Sequence, residues 1–349
     1  MKESDLYLPS GYLDMDRIIS ISNTFCFIIG GRGTGKTYGA LQYALQYALE
    51  RHVKFIYMRR TQTQVDVIKS NDMNPFKSVA DDVITKSINK SLTGVYRCDP
   101  DEDINKPVGP ALGYIVALST ISNLRGFDAS DVDLIIFDEF KGEAHEKLIK
   151  DEGVAFFNAY ETINRNRELN GQPPVKALML ANSNSLDSAL LATFNLIMPY
   201  QQMFLNGEVI REYPDRHVTL VLLPMTEIGK KKAMTALYAA ASKAYTDMAL
   251  ADKFVNDDLS NIETRDLNKC TPLCRVGEIW IYKVKGTREY YVSHHGHGTF
   301  KVQYDVTDSQ LKAFRRKYYY VWLAELNQRI YYESYVERLL LDRYLKPKI

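Results

Sequence analysis

The stretch FCFIIGGRGTGKTYGA, residues 25–40, decides the fold of the first part of this chain. Its opening apolar run predicts a short buried strand, and the residues from Thr37 onward predict a helix. Between the two, GGRGTGKT fits the pattern G-x-x-x-x-G-K-[ST], with Gly30, Gly35 and Lys36 at defining positions. A strand before this pattern and a helix after it are the context of a phosphate-binding loop.

The residue types of this loop suit the phosphate chain of a nucleoside triphosphate. Glycines let backbone N–H groups turn toward phosphate oxygens, and the N-terminus of the next helix adds partial positive charge. We expect Lys36 to reach the β- and γ-phosphates and the Thr37 hydroxyl to bind Mg²⁺. The nucleotide-binding residues predicted from the sequence are Gly30, Gly31, Arg32, Gly33, Thr34, Gly35, Lys36, Thr37 and Asn182.

Two adjacent carboxylates end a second apolar run, DLIIFDEF, at residues 133–140. On a buried strand, Asp138 would emerge at the carboxyl edge beside the phosphate loop and hold Mg²⁺. Glu139 would orient and deprotonate the attacking water. The D-x-x-G and N-K-x-D patterns typical of GTPases are not found at the corresponding places, so the sequence favours ATP.

Arginines are the usual means of neutralising charge on the transferred phosphoryl group. Arg32 lies within the loop itself, and Arg125 and Arg165 are further candidates for a catalytic role. A surface salt bridge is an equal alternative for Arg125 and Arg165 on pattern alone. Asn182 ends the run LMLAN and could sense the γ-phosphate, although the polar residues after it could also cap the next helix.

Composition bounds the class of protein. The chain has 349 residues, 46% of them hydrophobic and 25% charged, which is typical of a globular protein with two domains. A net charge of +1 excludes bulk positive charge as the means of holding nucleic acid, but leaves room for local basic patches. No apolar run approaches the roughly 18 residues of a membrane helix. Four cysteines and a polar N-terminus indicate a reducing cytoplasm rather than secretion.

The order of patterns along the chain predicts an α/β fold. Apolar runs of strand length alternate with helical stretches over residues 1–200, which predicts a mostly parallel sheet covered on both faces. A turn-rich segment at 84–110 is interpreted as a hairpin or loop insertion. Residues 201–258 are predicted to form a helical linker or lid, and 259–349 a smaller α+β domain.

Taken together, these motifs resemble the DNA-packaging ATPases of small tailed bacteriophages of the phi-29 type, which are relatives of the large-terminase motors. The resemblance rests on the phosphate loop with its internal arginine, then FIYMRR, IIFDEF, INRNRE and LMLANSNS in that order. It covers most of residues 1–200 and is thin beyond about residue 260.

The resemblance implies a ring, of five subunits, docked on the portal of an empty capsid and pumping double-stranded DNA inward with ATP. It implies a hydrolytic centre of Lys36, Thr37, Asp138 and Glu139. Arg165, and Arg125 as a second basic residue, would act on a neighbouring subunit's nucleotide. It also implies an RNase H-like C-terminal domain, which here lacks an obvious carboxylate cluster and is interpreted as a vestigial nuclease. A packaging RNA is a further candidate partner. The protein would work in the host cytoplasm, at the portal, and be absent from the mature virion.

Two other functions fit the same site. One is a helicase or repair-type DNA-dependent ATPase, in which the same hydrolytic centre drives movement along a different nucleic-acid substrate. The other is a nucleotide-controlled assembly switch with little turnover.

Overall fold

The computed structural model describes residues 6–124, 128–142, 149, 151–182, 186, 188–223, 231–241 and 261–346. The chain divides into two compact units. The first comprises Met1–Leu196 and Gln202–Asn256, and the second comprises Ile197–Gln201 and Asp257–Ile349. In the parts of the chain that the structure describes, no helix has both the length and the apolar character to cross a bilayer.

Within the described residues, a nine-stranded sheet forms the centre of the first unit. Its strands are β1 (Phe25–Gly30), β2 (Lys54–Arg59), β3 (Val83–Ser87), β4 (Leu92–Asp99), β5 (Asp103–Ala117), β6 (Val132–Asp138), β7 (Lys176–Asn182), β8 (Ile210–Tyr213) and β9 (Val218–Leu223). Their order is β3-β4-β5-β2-β6-β7-β1-β9-β8. The run from β5 to β9 in that order is parallel, and β3, β4 and β8 join antiparallel at the edges.

The central strands are continuous apolar runs because both of their faces are covered. All six residues of β9 are buried, as are five of the six in β1. In the pairing of β1 with β7, Gly30 lies opposite Asn182, and Asp138 at the end of β6 lies opposite Leu180. The parallel register therefore brings the ends of β1, β6 and β7 to one edge of the sheet, as the α/β prediction required.

Helices connect these strands. They are α1 (Met15–Ile21), α2 (Lys36–Arg51), α3 (Gln62–Ile68), α4 (Glu152–Asn164), α5 (Ala189–Thr193), α6 (Ile197–Asn206) and α7 (Ala236–Ala240). The buried apolar side of α2 consists of small and branched side chains at helical spacing, which are Ala40, Leu41, Ala44, Leu45 and Ala48. This side joins the main hydrophobic core, so the helix that follows the phosphate loop is firmly anchored.

The structure refines two predictions made from the sequence. The segment at 84–110 is a hairpin, formed by β3, β4 and the first part of β5. The helical linker predicted over 201–258 differs from the structure at residues 210–223, because β8 and β9 extend the sheet beside β1. The apolar run VTLVLL is buried there as strand β9. It pairs with β1 on the side away from β7, so the backbone N–H and C=O groups of β1 find hydrogen-bond partners on both sides. Of residues 224–258, the structure describes only 231–241.

The second unit has a smaller sheet of order β13-β10-β11-β12-β14. Its strands are β10 (Cys270–Val276), β11 (Ile279–Val284), β12 (Tyr290–Ser293), β13 (Gln303–Tyr304) and β14 (Ile330–Tyr332), and its helices are α8 (Asp308–Lys317), α9 (Tyr319–Leu326) and α10 (Tyr335–Leu345). Strands β10, β11 and β12 form an antiparallel meander, and β13 pairs parallel to β10, which fits the smaller α+β domain predicted from the sequence. The last strand, β14, pairs parallel with β12 at the opposite edge of the sheet from β13.

Candidate nucleotide-binding site

The loop between β1 and α2 has the backbone of a phosphate cradle. Gly33 and Gly35 both lie in the left-handed region, with φ of +86° and +85°. A residue with a Cβ is strained there, which explains the glycines at these positions. Helix α2 begins directly after Gly35, so its N-terminal N–H groups face the loop.

Lys36 is buried in the fold of the loop. Its Nζ donates hydrogen bonds of 2.8 Å to the carbonyl oxygens of Gly30 and Gly31, and one of 3.3 Å to Thr34 Oγ1. Only 7% of the residue is exposed. Since a buried ammonium is costly without acceptors, these bonds hold the cation at the loop in readiness for phosphate oxygens.

Thr37 and Asp138 meet across the sheet edge, although 101 residues separate them in sequence. Thr37 Oγ1 donates to Asp138 Oδ1 at 3.1 Å, and the hydroxyl of Tyr57 donates to Asp138 Oδ2 at 2.8 Å. A hydroxyl and a carboxylate side by side are oxygen ligands of the kind Mg²⁺ prefers. Mg²⁺ usually takes one or two protein oxygens and completes its shell with water and phosphate, so this pair fits the ion.

Glu139 follows Asp138 in a left-handed conformation with φ of +51°. This conformation is uncommon for a residue other than glycine and carries strain of about 1 kcal/mol. It turns the chain out of β6, and the Glu139 side chain is 46% exposed whereas that of Asp138 is 5% exposed. The two carboxylates are therefore separated into a buried one and an accessible one.

Arg59, at the end of β2, binds both carboxylates. Its Nη1 donates to Asp138 Oδ2 at 3.0 Å, and its Nη2 donates to Glu139 Oε2. Burial by itself would lower the pKa of the Arg59 guanidinium, but the neighbouring Tyr57, Asp138 and Glu139 outweigh it and raise the pKa. Arg59 is therefore a permanent cation held against the acidic pair.

The phosphate loop and the acidic pair line one cleft of about 530 Å³. Its walls are Arg32, Gly33, Thr34, Gly35, Lys36, Thr37, Tyr38, Asp138, Glu139, Ala181 and Asn182. Gly30 and Gly31 lie at the base of the loop, where their carbonyls accept from Lys36. The structure thus brings together the predicted loop, the acidic pair, Asn182 and Arg32.

Arg165 is not among the residues that line this cleft. Arg125 lies outside the described residues. Arg165 follows the last residue of α4, and its half-exposed side chain comes within 3.9 Å of Asp128. The neighbouring Arg167 differs, because it is mostly buried and donates to Asp133 Oδ1 at 2.5 Å and to the carbonyl of Val132 at 2.8 Å. Arg167 is therefore structural, while Arg165 is accessible from outside the subunit.

Sequence reasoning missed two tyrosines of the site, Tyr57 and Tyr38. Tyr57 stands two residues before Arg59, so strand alternation places both side chains on the same face of β2. The alternation of side chains along a strand could therefore have predicted from the sequence that Tyr57 lies beside Arg59. Tyr12 and Tyr38 are each 47% exposed beside the loop, and a Cβ on Gly35 would lie 2.9 Å from Tyr12 Cδ1. Aromatic rings therefore flank the cleft.

Comparison with known proteins finds DNA packaging proteins of bacteriophages. A DNA packaging protein of Bacillus phage phi29 is 26% identical over 267 residues, which are 76% of this chain and 70% of the relative. A DNA packaging protein of Bacillus phage B103 is 25% identical over 258 residues, covering 73% of this chain and 70% of the relative.

Solved structures share the fold. A chain of the bacteriophage phi-29 viral genome packaging motor assembly superposes with a TM-score of 0.67 at 18% identity, over 96% of this chain and 100% of that one. A chain of the Phi-28 gp11 DNA packaging motor gives 0.60 at 16% identity, over 97% and 99%. Residues 1–271 match the family described as podovirus DNA encapsidation protein (Gp16). Because that match spans the whole of the phosphate-loop unit and the start of the second unit, this chain belongs to the podovirus DNA encapsidation protein (Gp16) family.

Proposed function

We propose that the protein hydrolyses ATP in a Mg²⁺-dependent reaction and uses it to move double-stranded DNA into a procapsid. The observation that carries the proposal is the meeting of Lys36, Thr37, Asp138 and Glu139 at one edge of the sheet. An NTPase needs a cradle for phosphates, oxygen ligands for the metal and a base for water, and this edge offers all three. Family membership supplies DNA as the cargo.

Each residue has a role that its contacts allow. The loop N–H groups and Lys36 would bind the phosphate chain, and Thr37 with Asp138 would hold Mg²⁺. That ion, when bound, neutralises charge on the β- and γ-phosphates. Glu139 would accept a proton from the attacking water once its carboxylate leaves Arg59. Asn182, opposite Gly30 in the sheet, would contact the γ-phosphate, and Arg32 would approach the phosphates from the rim.

Arg165 supports a site shared between subunits. Its side chain is 47% exposed at the end of α4, away from the residues that line its own subunit's cleft. An arginine in that position can stabilise the transition state on a neighbour's nucleotide. The proposed assembly is a ring, of five subunits, at the portal vertex of a procapsid in the host cytoplasm, with a packaging RNA as a further partner. Arg125 would act across the same boundary.

Mixed rings test this arrangement. Arg165→Ala subunits and Glu139→Gln subunits should each be inactive, but their mixtures should regain Mg²⁺-dependent ATP hydrolysis in the presence of DNA and procapsids. The gain is expected because some interfaces then combine an intact base with an intact arginine. Arg51→Ala, at the exposed end of α2, is the matched control and should behave as wild type. Activity that never recovers at any mixing ratio contradicts an arginine acting in trans.

A second function, the assembly switch with little turnover, is favoured by one observation. The Glu139 carboxylate is held by Arg59 and so is not free to accept a proton. If this pairing persists in the assembled state, ATP would bind and control assembly without being hydrolysed. Phosphate release measured with procapsids and DNA separates the two functions: sustained release supports the motor, and a single bound nucleotide per subunit without release supports the switch.

A further inference from the structure

Lys232 lies directly over the phosphate loop. A Cβ placed on Gly33 would be 2.2 Å from Lys232 Nζ and 2.6 Å from its Cε, so the end of this side chain fills the space above the loop. Lys232 belongs to residues 231–241, which follow β9 in the chain and include α7. It is about 200 residues away from the loop in sequence, in a basic cluster that no nucleotide-binding motif includes.

Hydrogen bonds hold the backbone at Lys232 in place. Its carbonyl accepts a hydrogen bond of 2.9 Å from the Thr235 N–H and one of 2.8 Å from Thr235 Oγ1. These bonds close a turn that starts at Lys232. The neighbouring Lys231 is exposed, whereas Lys232 is partly buried.

The surroundings of Lys232 and the phosphate loop carry an excess of positive charge. Within the described residues, the Lys232 ammonium has no hydrogen bond or ion pair, and it stands near the loop that carries Arg32 and Lys36. The N–H groups at the start of α2 add partial positive charge. The adjacent carboxylates, Asp138 and Glu139, are bound by Arg59. An anion in the loop would remove the repulsion among these cations, and a lysine beside it would form charge-assisted hydrogen bonds.

We propose that Lys232 is a phosphate-binding residue of the nucleotide site, donating to the phosphate chain beside Gly33. The proposal rests on the proposed function, because it takes the anion to be the phosphate chain of ATP. It adds a contact from a segment that lies after the last strands of the sheet, and so makes nucleotide affinity depend on the chain that leads to the second unit at Asp257.

Binding measurements on the full-length chain test the proposal. The dissociation constants of ADP and of a non-hydrolysable ATP analogue, with Mg²⁺, are measured for wild type, Lys232→Ala, Lys232→Arg and Lys231→Ala. Loss of one charge-assisted hydrogen bond should weaken binding about tenfold in Lys232→Ala. Lys232→Arg keeps the charge and should stay within about threefold of wild type. Lys231→Ala is the matched control and should bind as wild type.

Chemical labelling gives a second readout that needs no variant. An amine-reactive reagent, followed by mass spectrometry, should modify Lys232 in the free protein and modify it several-fold less with the ATP analogue bound. Lys231 should react equally in both states. Equal binding by Lys232→Ala together with unprotected Lys232 would overturn the proposal while leaving the site intact. A wild-type protein that binds neither nucleotide would overturn the proposed function itself.

Discussion

Arg59 Nη2 donates a hydrogen bond to Oε2 of Glu139, and the same guanidinium reaches Asp138 through Nη1 at 3.0 Å. The residue proposed as the catalytic base is thus neutralised by a cation 80 positions away in the sequence. Since the guanidinium of Arg59 occupies this carboxylate, the contact must loosen before Glu139 can accept a proton from water. We therefore expect the pairing to limit ATP turnover until Arg59 moves away from Glu139.

Replacing Arg59 should uncouple hydrolysis from assembly. In Arg59→Ala the restraint on Glu139 is gone, so we expect the ratio of ATPase rates with and without DNA and procapsids to fall toward one. The measurement is steady-state phosphate release under both conditions. If both rates fall by the same factor, Arg59 only supports the acidic pair, and the restraint on Glu139 has no role in coupling.

Removing the proposed base should separate binding from chemistry. We expect Glu139→Gln to bind the ATP analogue as wild type does and to hydrolyse ATP about 100-fold more slowly, which is the usual contribution of a general base. Glu161→Gln, on the exposed side of α4, is the control and should hydrolyse normally. Normal turnover in Glu139→Gln would assign the base to another residue.

The buried ion pair of Arg60 and Glu152 should contribute to the stability of the first unit. Arg60 Nε donates to Glu152 Oε1 at 2.6 Å and Nη2 donates to Oε2 at 3.0 Å, with side chains only 3% and 8% exposed. Removal of one partner leaves a buried charge, so Glu152→Leu should lower the free energy of unfolding by about 3–5 kcal/mol. Denaturant unfolding followed by far-UV circular dichroism measures this change.

Two controls make that measurement specific. Asp66→Ala breaks an exposed ion pair with Lys69, whose side chains are 48% and 37% exposed, and should cost less than about 1 kcal/mol. The double variant Arg60→Met, Glu152→Leu removes both charges and should recover part of the loss. A Glu152→Leu protein as stable as wild type would show that the pair contributes nothing net.

The second unit should lose stability above neutral pH because of His294 and Glu337. The hydrogen bond that His294 Nδ1 donates to the Glu337 carboxylate raises the pKa of His294 above its ordinary 6.5, with help from Glu278 and Glu333. Burial opposes ionisation of Glu337, but its bonds with His294 and Ser334 outweigh burial and lower its pKa below 4.5. The raised pKa contributes stability below pH 6.5 that is lost as pH rises through the folded value. The lowered pKa contributes stability above pH 4.5 that is lost as pH falls.

Tryptophan fluorescence isolates this effect, because both tryptophans of the chain, Trp280 and Trp322, lie in the second unit. We expect the midpoint of thermal unfolding to be highest between pH 4.5 and 6.5 and to decline on the alkaline side. His294→Gln should flatten that decline. His295→Gln, whose side chain is 74% exposed beside Glu333, should change it little. An alkaline decline that persists unchanged in His294→Gln rules out this pair as its cause.

The sequence by itself determined the phosphate loop, the acidic pair and the parallel sheet that joins them. Lys36 and Thr37 are contiguous with the strand and helix that position them, and Asp138 and Glu139 end an apolar run of strand length. Local backbone preference and hydrophobic pattern encode such features directly. The same reasoning gave Asn182, since parallel strands end at one edge.

Only the tertiary structure decided the contacts made across the chain. Strand order placed β9 beside β1, which removed residues 210–223 from the predicted linker. It also brought Arg59 against Glu139 and Lys232 above Gly33. The physical reason is that a side chain's partner depends on which strands become neighbours, and that choice is made by packing of the whole core rather than by any short stretch of sequence.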